Sequence, residues 1–397
     1  DKGVLVTPIH RLILAKSRLP EVVNGDMRAQ CNGLRAGARA FRDIVQKYGE
    51  HDFFKCVEFI FDHGESVVRN YLKKIPNGTY VGEGMMDNNG ITDDSVPFKV
   101  SVEIRDDGVT VDFSDSAPQQ QGPVNCPMPS TVSAARIAIS MLAGGGESPT
   151  EGHFRPVKVI SKKGSMFHPL PPAPCFLYGW PAMQAIEVIY RAIGNRCPDL
   201  VPADSAGDIC SMVFWGKKEG SQEVWADGAP YPSGQGGSDQ GDGSTVLHIA
   251  ESATRFSPTE VRENMYPYLL NKVELAQDSH GAGERTGGMG IDFEFEFMGD
   301  TYLTATLERT KTNPKGLLGG KEGRANACTL VYPDGEEQPI GKVTRHFLPK
   351  ATRLLLKTGG GGGYGAPKDR TREQIERDVE NQLISKEYAQ KHYPQFK

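Results

Sequence analysis

The stretch Asp278-Ser279-His280-Gly281-Ala282-Gly283-Glu284-Arg285-Thr286-Gly287-Gly288-Met289-Gly290 holds five glycines in thirteen residues and runs straight into an alternation. Ile291, Phe293, Phe295 and Phe297 fall on one face, and Asp292, Glu294, Glu296 and Met298 on the other. That is the period of a half-buried strand. Gly299-Asp300 predicts a turn, after which Leu303, Ala305 and Leu307 continue the alternation on a partner strand. Glycine serves where backbone approaches backbone or ligand closely, or where φ must be positive. A loop that turns a sheet corner accounts for one such cluster. Gly236-Gly237 and Gly359 to Gly363 repeat the theme in the same half of the chain. The three clusters are therefore expected to lie together and to shape a cleft whose free N–H groups hold an anion.

The chain has 397 residues, enough for two or three domains. Charged residues make up 24% and hydrophobic ones 38%, an ordinary globular balance. A net charge of −5 and the lack of any Lys/Arg-dense run argue against a nucleic-acid surface. No apolar run approaches the ~18 residues of a membrane span. Seven cysteines, an odd number without a C-x-x-C pair, read as reduced thiols in a cytoplasmic protein. The sequon at Asn77 carries no weight without a secretory signal. Because the chain opens on Asp1, a segment upstream is expected.

Taken in order, the periodicities predict an α+β fold. It has an N-terminal helical hairpin, then a mixed, mainly antiparallel sheet with Gly-rich loops, and a short C-terminal helical tail. The expected divisions are 1–78, 79–200, 201–366 and 367–397. Asp26 and Asp52 are candidate N-caps of the first two helices, and Phe53, Val57, Ile60, Phe61, Val68, Leu72 and Ile75 form an inner face. Val100 to Ile104 and Val109 to Phe113 alternate around Asp107-Gly108 as a hairpin. A helix is predicted from about Thr131 to Leu142, ended by Gly144 to Gly146. Another opens at Pro181 and closes at Gly194. Residues 209–216 and 222–226 read as a hairpin, 258–264 as a helix or loop, and Thr371 with Gln374 as a capping box.

Familiar catalytic motifs fail on spacing. Lys321 follows Gly320, but Glu322 stands where a P-loop needs Ser or Thr. Gly281-x-Gly283 lacks a third glycine at 286 and precedes a strand, against a dinucleotide fold. The nine histidines show no H-E-x-x-H and no close pair, and no Ser sits in a G-x-S-x-G context. No catalytic residue and no metal site are assigned within this chain. Asp239, Asp242 and His248, in and after a glycine loop, form the best polar cluster, though a solvated acidic turn explains them as simply. Cys126 sits in a suggestive loop, with a buried structural thiol as the plainer reading. The candidate contacts to substrate or phosphate are Asn125, Cys126, Gly236, Gly237, Asp239, Asp242, His248, His280, Gly281 and Gly283.

Several ordered segments together carry a resemblance: L-I-L-A-K-S-R-L-P-E at 12–21, G-D-M-R-A-Q at 25–30, P-N-G-T-Y at 76–80 and G-P-V-N-C-P at 122–127. They continue with E-G-H-F-R-P-V-K-V-I at 151–160, G-S-M-F-H-P-L-P-P-A at 164–173, the glycine stretch at 278–290 and G-G-G-G-Y-G-A-P at 360–367. In kind and order, nearly end to end, they resemble the hydantoinase B/oxoprolinase family. The resemblance implies a B-type subunit of an ATP-dependent cyclic amidase, of hydantoinase, oxoprolinase or lactamase type. Its substrate would be phosphorylated by an actin-like partner subunit that binds the ATP. A subunit of a ketone (acetone or acetophenone) carboxylase is the alternative, with a non-catalytic scaffold module as the third reading. The family also implies a divalent metal, Zn or Mn, in the complex, and in the carboxylase case a small third subunit.

The family's G-G-T-H-x-x-D-like motif, which carries the implied metal ligands, lies upstream of the segment that opens this chain. The resemblance therefore implies a C-terminal portion, a naturally split subunit completed by an N-terminal B-type chain, or a partial sequence. Where hydantoinase-type members read G-G-x-G-A and then an Asn-rich segment, this chain reads G-Q-G-G-S-D-Q-G-D-G at 234–243 and A-E-S-A-T-R-F-S-P-T-E at 250–260. Hydrolase and carboxylase both stay open at that point.

Overall fold

The computed structural model describes residues 3–144, 148–207, 209–249 and 255–396. The chain divides into two compact units, Asp1–Gly64 with Thr150–Gly152, and Glu65–Pro149 with His153–Lys397.

The first unit holds α1 (Thr7–Ala15), α2 (Pro20–Tyr48) and the opening turns of α3 (Glu50–Leu72). Pro20 occupies the first position of α2, where its missing N–H removes no helical bond. Asp26 therefore lies in the second turn and is not the N-cap. Gly49, at φ 80°, separates α2 from α3, and Asp52 falls inside the first turn of α3. Phe41 and Phe53 meet edge-to-face at 5.1 Å. Neither α1 nor α2 buries a residue fully, and Leu34, Phe41, Phe54, Phe59 and Ile60 are exposed. The apolar stripe is real, but within this unit Ile60 is not part of an inner face.

The second unit begins with a sheet of β1 (Gly78–Met86), β2 (Val96–Arg105), β3 (Gly108–Asp112) and β4 (Val157–Ile160), in the order β1-β2-β3-β4. The β2–β3 hairpin turns through Asp106-Asp107, with Asp106 at φ 55° and Gly108 already paired to Arg105. Within this sheet, among the described residues, only β3 and β4 run parallel. The crossover between them carries α4 (Met128–Ala143) and α5 (Glu151–Phe154), as parallel pairing requires. Gly144 ends α4; Gly145 and Gly146 lie outside the described residues. The helix α6 (Gly179–Gly194) starts two residues before Pro181 and packs with α4 on the sheet through Ile139, Ile186, Ile189 and Ile193. Gly82 and Gly84 permit this contact, because a Cβ on Gly82 would sit 2.3 Å from the Val188 carbonyl oxygen.

Two further sheets form a sandwich. One is β11-β10-β13-β8-β7 and the other β12-β9-β5-β6. In chain order these are β5 (Ser211–Lys217), β6 (Val224–Ala229), β7 (Tyr268–Leu275), β8 (Ile291–Phe297), β9 (Thr301–Thr306), β10 (Ala327–Val331), β11 (Glu337–Ile340), β12 (Val343–Leu348) and β13 (Arg353–Lys357), with α7 (Thr259–Met265) before β7. Phe214 of β5 meets Phe295 at 5.3 Å and Phe297 at 5.1 Å across the layer. The alternation of β8 is as expected, but β9 is not its partner. β8 pairs with β7 and β13, whereas β9 pairs with β5 and β12. Alternation reports which face is buried, and Phe295 and Leu303 fill the same core from opposite sheets. The tail forms α8 (Arg372–Glu380) and α9 (Lys386–His392), and both halves of the Thr371/Gln374 capping box are present.

The glycine clusters converge. Gly234, Gly237 and Gly281 donate to the carbonyls of Gly359, Gly362 and Gly361 at 2.8, 2.9 and 2.8 Å, and Gly361 donates to Gly288 at 2.9 Å. A Cβ on Gly361 would lie 1.8 Å from the Gln235 oxygen, and one on Gly287 1.9 Å from the Gly361 oxygen. None of these glycines has positive φ. Close approach of backbone to backbone is thus their whole requirement. The N–H groups of Gly360 to Gly363 all donate to carbonyls of this chain, so they are not free donors lining an anion cleft, as their recurrence in the sequence suggests.

Gly361→Ala should therefore destabilise the chain by more than about 4 kcal/mol, or prevent folding, since only backbone could yield. Gly33→Ala, mid-helix with nothing within 4 Å, should stabilise by about 0.5–1 kcal/mol. Urea unfolding of both variants measures the contrast, and similar effects would contradict the packing account.

Candidate functional site

The helix α6 is buried on almost every side, yet it carries Gln184, Glu187 and Arg191. Spacings of three and four place these side chains on one face. That face meets the segment Ala203 to Gly207, which the glycine clusters hold: Ala203 donates to Gly237, Ala206 to Gly234, and Gly362 to Asp204. Gln184 donates to the Gly207 carbonyl at 2.6 Å. The Ser205 hydroxyl donates to Glu187 at 2.5 Å, and the Ser205 N–H to the second carboxylate oxygen at 3.2 Å. Arg191 donates to both oxygens of Asp204, at 2.9 and 2.7 Å. Arg309 reaches in after β9, donating to Asp204 at 2.9 Å and to the Ser205 carbonyl at 2.8 Å. Its guanidinium lies 3.8 Å from Glu187.

Two arginines thus face two carboxylates of unequal character. Burial opposes the ionisation of Asp204, but Arg309 and Arg191 outweigh it and hold the carboxyl below its ordinary value. Burial, and then the charge of Asp204, push Glu187 up to about 7, against which the arginines pull only partly. A carboxyl so placed can give or take a proton at neutral pH.

Glu187 and Ser205 line a cavity of about 880 Å³, together with Tyr71, Tyr190, Gln235, Gly236 and Asp239. A second cavity of about 650 Å³ is lined by Gln184, Arg191 and Arg309 of the same network. Among the described residues no three His, Cys, Asp or Glu side chains stand close enough to hold a metal ion. The divalent metal implied by the resemblance does not fit this set.

Of the residues predicted from sequence, Gly236 and Asp239 line the larger cavity. Gly237, Gly281 and Gly283 belong to the backbone packing. Asp242 pairs with Arg370 at 2.9 Å and accepts the Thr286 N–H at 2.8 Å, tying the tail to the glycine segments. His280 is buried and pushed down to about 4 by burial and by Arg370, which keeps it neutral; its carbonyl accepts from the Tyr388 hydroxyl at 2.6 Å. His248 is buried. The Asn125 amide donates to the carbonyls of Gln120, Gly122 and Pro174 while its oxygen accepts the Gln120 N–H, so it clamps the proline-rich loop. Cys126 is buried, which pushes its thiol up to about 12. In the altered loop at 234–257, residues 250–254 lie outside the described residues.

Sequence reading missed Glu187, Arg191, Ser205 and Arg309. The available signal was in α6, where three long polar residues share one face of an otherwise apolar helix.

Residues 1–367 match the hydantoinase B/oxoprolinase family, and the chain belongs to it. The provisionally assigned B-type component of a D-/L-hydantoinase from Pseudomonas sp. (strain NS671) is 27% identical over 402 residues, covering 98% of this chain and 67% of its own length. The crystal structure of ATP-dependent caprolactamase from Pseudomonas jessenii superposes with a TM-score of 0.86 at 23% identity, over 99% of this chain and 70% of that one. Nucleotide-free acetone carboxylase gives 0.77 at 17% identity, over 93% and 56%. At these identities the two structural likenesses establish the fold alone. The chain spans about two thirds of the length of the hydantoinase relative.

Glu187 generates a pH prediction. The folded carboxyl holds its proton to about pH 7, whereas an unfolded glutamate releases it near 4.5. The resulting stabilisation is complete below pH 4.5 and is lost as pH rises to about 7. The stability of wild type relative to Glu187→Gln should fall across that window in urea titrations; a flat difference contradicts the assignment. Separately, a thiol reagent added to the folded chain should label the exposed Cys31 and Cys56 and spare Cys126 and Cys328.

Proposed function

We propose that this chain is the B-type part of an ATP-dependent cyclic amidase, acting on a substrate phosphorylated by an actin-like partner subunit. The observation that carries the reading is the family match, which runs through residue 367. With its oxygen phosphorylated, the amide carbon becomes electrophilic enough for water to add, and the tetrahedral adduct collapses by expelling the ring nitrogen to leave an acyl phosphate, which a second water hydrolyses to carboxylate and phosphate. Breaking the ring C–N bond then requires a proton on the departing nitrogen. Glu187, with Ser205 at the cavity wall, is the group of this chain suited to supply it. ATP is assigned to the partner, and the divalent metal, Zn or Mn, to a part of the complex beyond the described residues.

The likeness to acetone carboxylase supports a second reading, a ketone carboxylase subunit. One assay separates the two. The chain is co-expressed with an actin-like ATP-binding subunit and the N-terminal B-type portion, then supplied with ATP and hydantoin, 5-oxoproline or caprolactam, or with acetone and bicarbonate. The expected outcome is ring opening that requires ATP and every component, with no ATP hydrolysis by this chain alone. Bicarbonate-dependent consumption of acetone, without any ring opening, would replace the amidase reading with the carboxylase one.

A further inference from the structure

The smaller cavity is not called upon by the amidase reading. Its walls come from β1 and β2 (Glu83 to Met85, Pro97 to Lys99), from α6 (Gln184, Arg191), and from the segment after β9 (Arg309, Thr312, Asn313, Lys315). Lys99, Arg191, Arg309 and Lys315 face only two carboxylates in that lining, Glu83 and Asp115. Both of those carboxylates lie against Lys99, at 3.0 and 4.0 Å. The remaining cations are underbalanced. Arg191 and Arg309 share the carboxylate of Asp204, with Glu187 standing off at 3.8 Å from Arg309, so these two carboxylates face three cations once Lys315 is included. The Arg309 Nε–H is buried with no acceptor among the described residues. Lys315 is exposed, and it is engaged with Asp204 through its backbone, the N–H donating to the carboxylate and the carbonyl accepting the Asp204 N–H, and not through its ammonium.

We propose that this cavity binds a small oxyanion, a carboxylate or a tetrahedral phosphate-type group, against Arg191, Arg309 and Lys315. Guanidinium groups fixed in orientation by a shared carboxylate are suited to planar or tetrahedral oxyanions, because their donors are already positioned. The proposal does not depend on the amidase reading and is tested without turnover.

The same geometry couples the site to a proton. Glu187 faces Gln184 and Arg191 on its own helix, Asp204 and Ser205 on the adjoining loop, and Arg309 after β9. On the side of the larger cavity it shares the lining with Tyr71, Lys74, Tyr190, Asp199 and Asp239. With Glu187 protonated, the two arginines and Asp204 leave one positive charge; with Glu187 ionised, they leave none. An anion beside the arginines offsets the charge that favours the Glu187 carboxylate and so raises its proton affinity. By reciprocity the protonated state binds the anion more tightly.

The test is calorimetric titration of the full chain with sodium sulfate and, separately, sodium acetate. Ionic strength is held constant with chloride, at pH 6, 7 and 8, in two buffers of different ionisation enthalpy. Saturable binding is expected, weakening several-fold from pH 6 to pH 8 and taking up protons at pH 7. Lys315→Glu, an exposed change that leaves the backbone contacts alone, should weaken binding roughly tenfold or more, as expected for reversing one charge at a charge-assisted site. Glu187→Gln should retain binding and lose both the pH dependence and the proton uptake. Tighter sulfate than acetate assigns the site to a tetrahedral group, and the reverse order to a carboxylate. Absence of saturable heat with both ions, or an affinity unchanged by Lys315→Glu, overturns the proposal. Binding with the same proton uptake in Glu187→Gln overturns the coupling.

Discussion

Peptide groups from separate stretches of chain, around Gln235, Ser279, Ala282, Lys315, Lys321 and Gly361, meet with no side chain between them. Each glycine there lies so near another carbonyl that a single methyl group would overlap backbone atoms, which cannot rotate away as a side chain can. Ordinary cores tolerate volume changes by repacking rotamers; this contact has no rotamers to repack. Its hydrogen bonds are also its packing. The segment Ala203 to Gly207 is held by the same bonds, and so the wall that α6 faces inherits the rigidity of the glycine contact.

On that wall the chain buries charge. Desolvating two arginines and two carboxylates is unfavourable unless each finds partners. Asp204 accepts from both guanidiniums and from the Lys315 N–H, while Glu187, among the described residues, accepts from Ser205 alone and stands off from Arg309. The asymmetry in partners is what separates the two carboxyls in acidity. A comparable arrangement joins the first sheet to the sandwich. There Glu308 accepts the Asp87 N–H at 2.7 Å and pairs with Lys342, and burial still pushes its carboxyl up to about 8. Carboxyls that burial pushes above their ordinary value thus occur at two joints of the second unit.

Much of the fold was legible locally. The β2–β3 hairpin, the β5–β6 hairpin, the alternation of β8, and the Thr371 capping box all follow from contacts within a few residues. The pairing of β8 was not legible, because Leu303 alternates as a partner strand would and yet belongs to the opposite sheet. The start of α2 was misread at Asp26 because a proline at the first helical position is as good a start signal, and Pro20 supplied it. The convergence of the glycines could be anticipated from their recurrence. Their use could not, since an N–H that donates to a carbonyl and one that awaits an anion are the same letter in the sequence. The ion network needed Asp204 and Arg309, far apart in sequence from α6, and no local pattern links them to it.

The register of β8 and β13 continues directly into the glycine segments. Lys357 pairs with Asp292, Thr358 donates to the Ile291 carbonyl, and a Cβ on Gly290 would meet the Thr358 oxygen. The pairing of these two strands therefore brings Gly290 and Gly359 against each other where the ladder ends. Glycine-rich chain is the most flexible part of the unfolded ensemble and gains nothing from early collapse. In kinetic terms the glycine contact is a latch. A contact of this kind that closes after the sandwich has formed would leave the folding barrier little changed, and its loss would be felt in how fast the native chain comes apart.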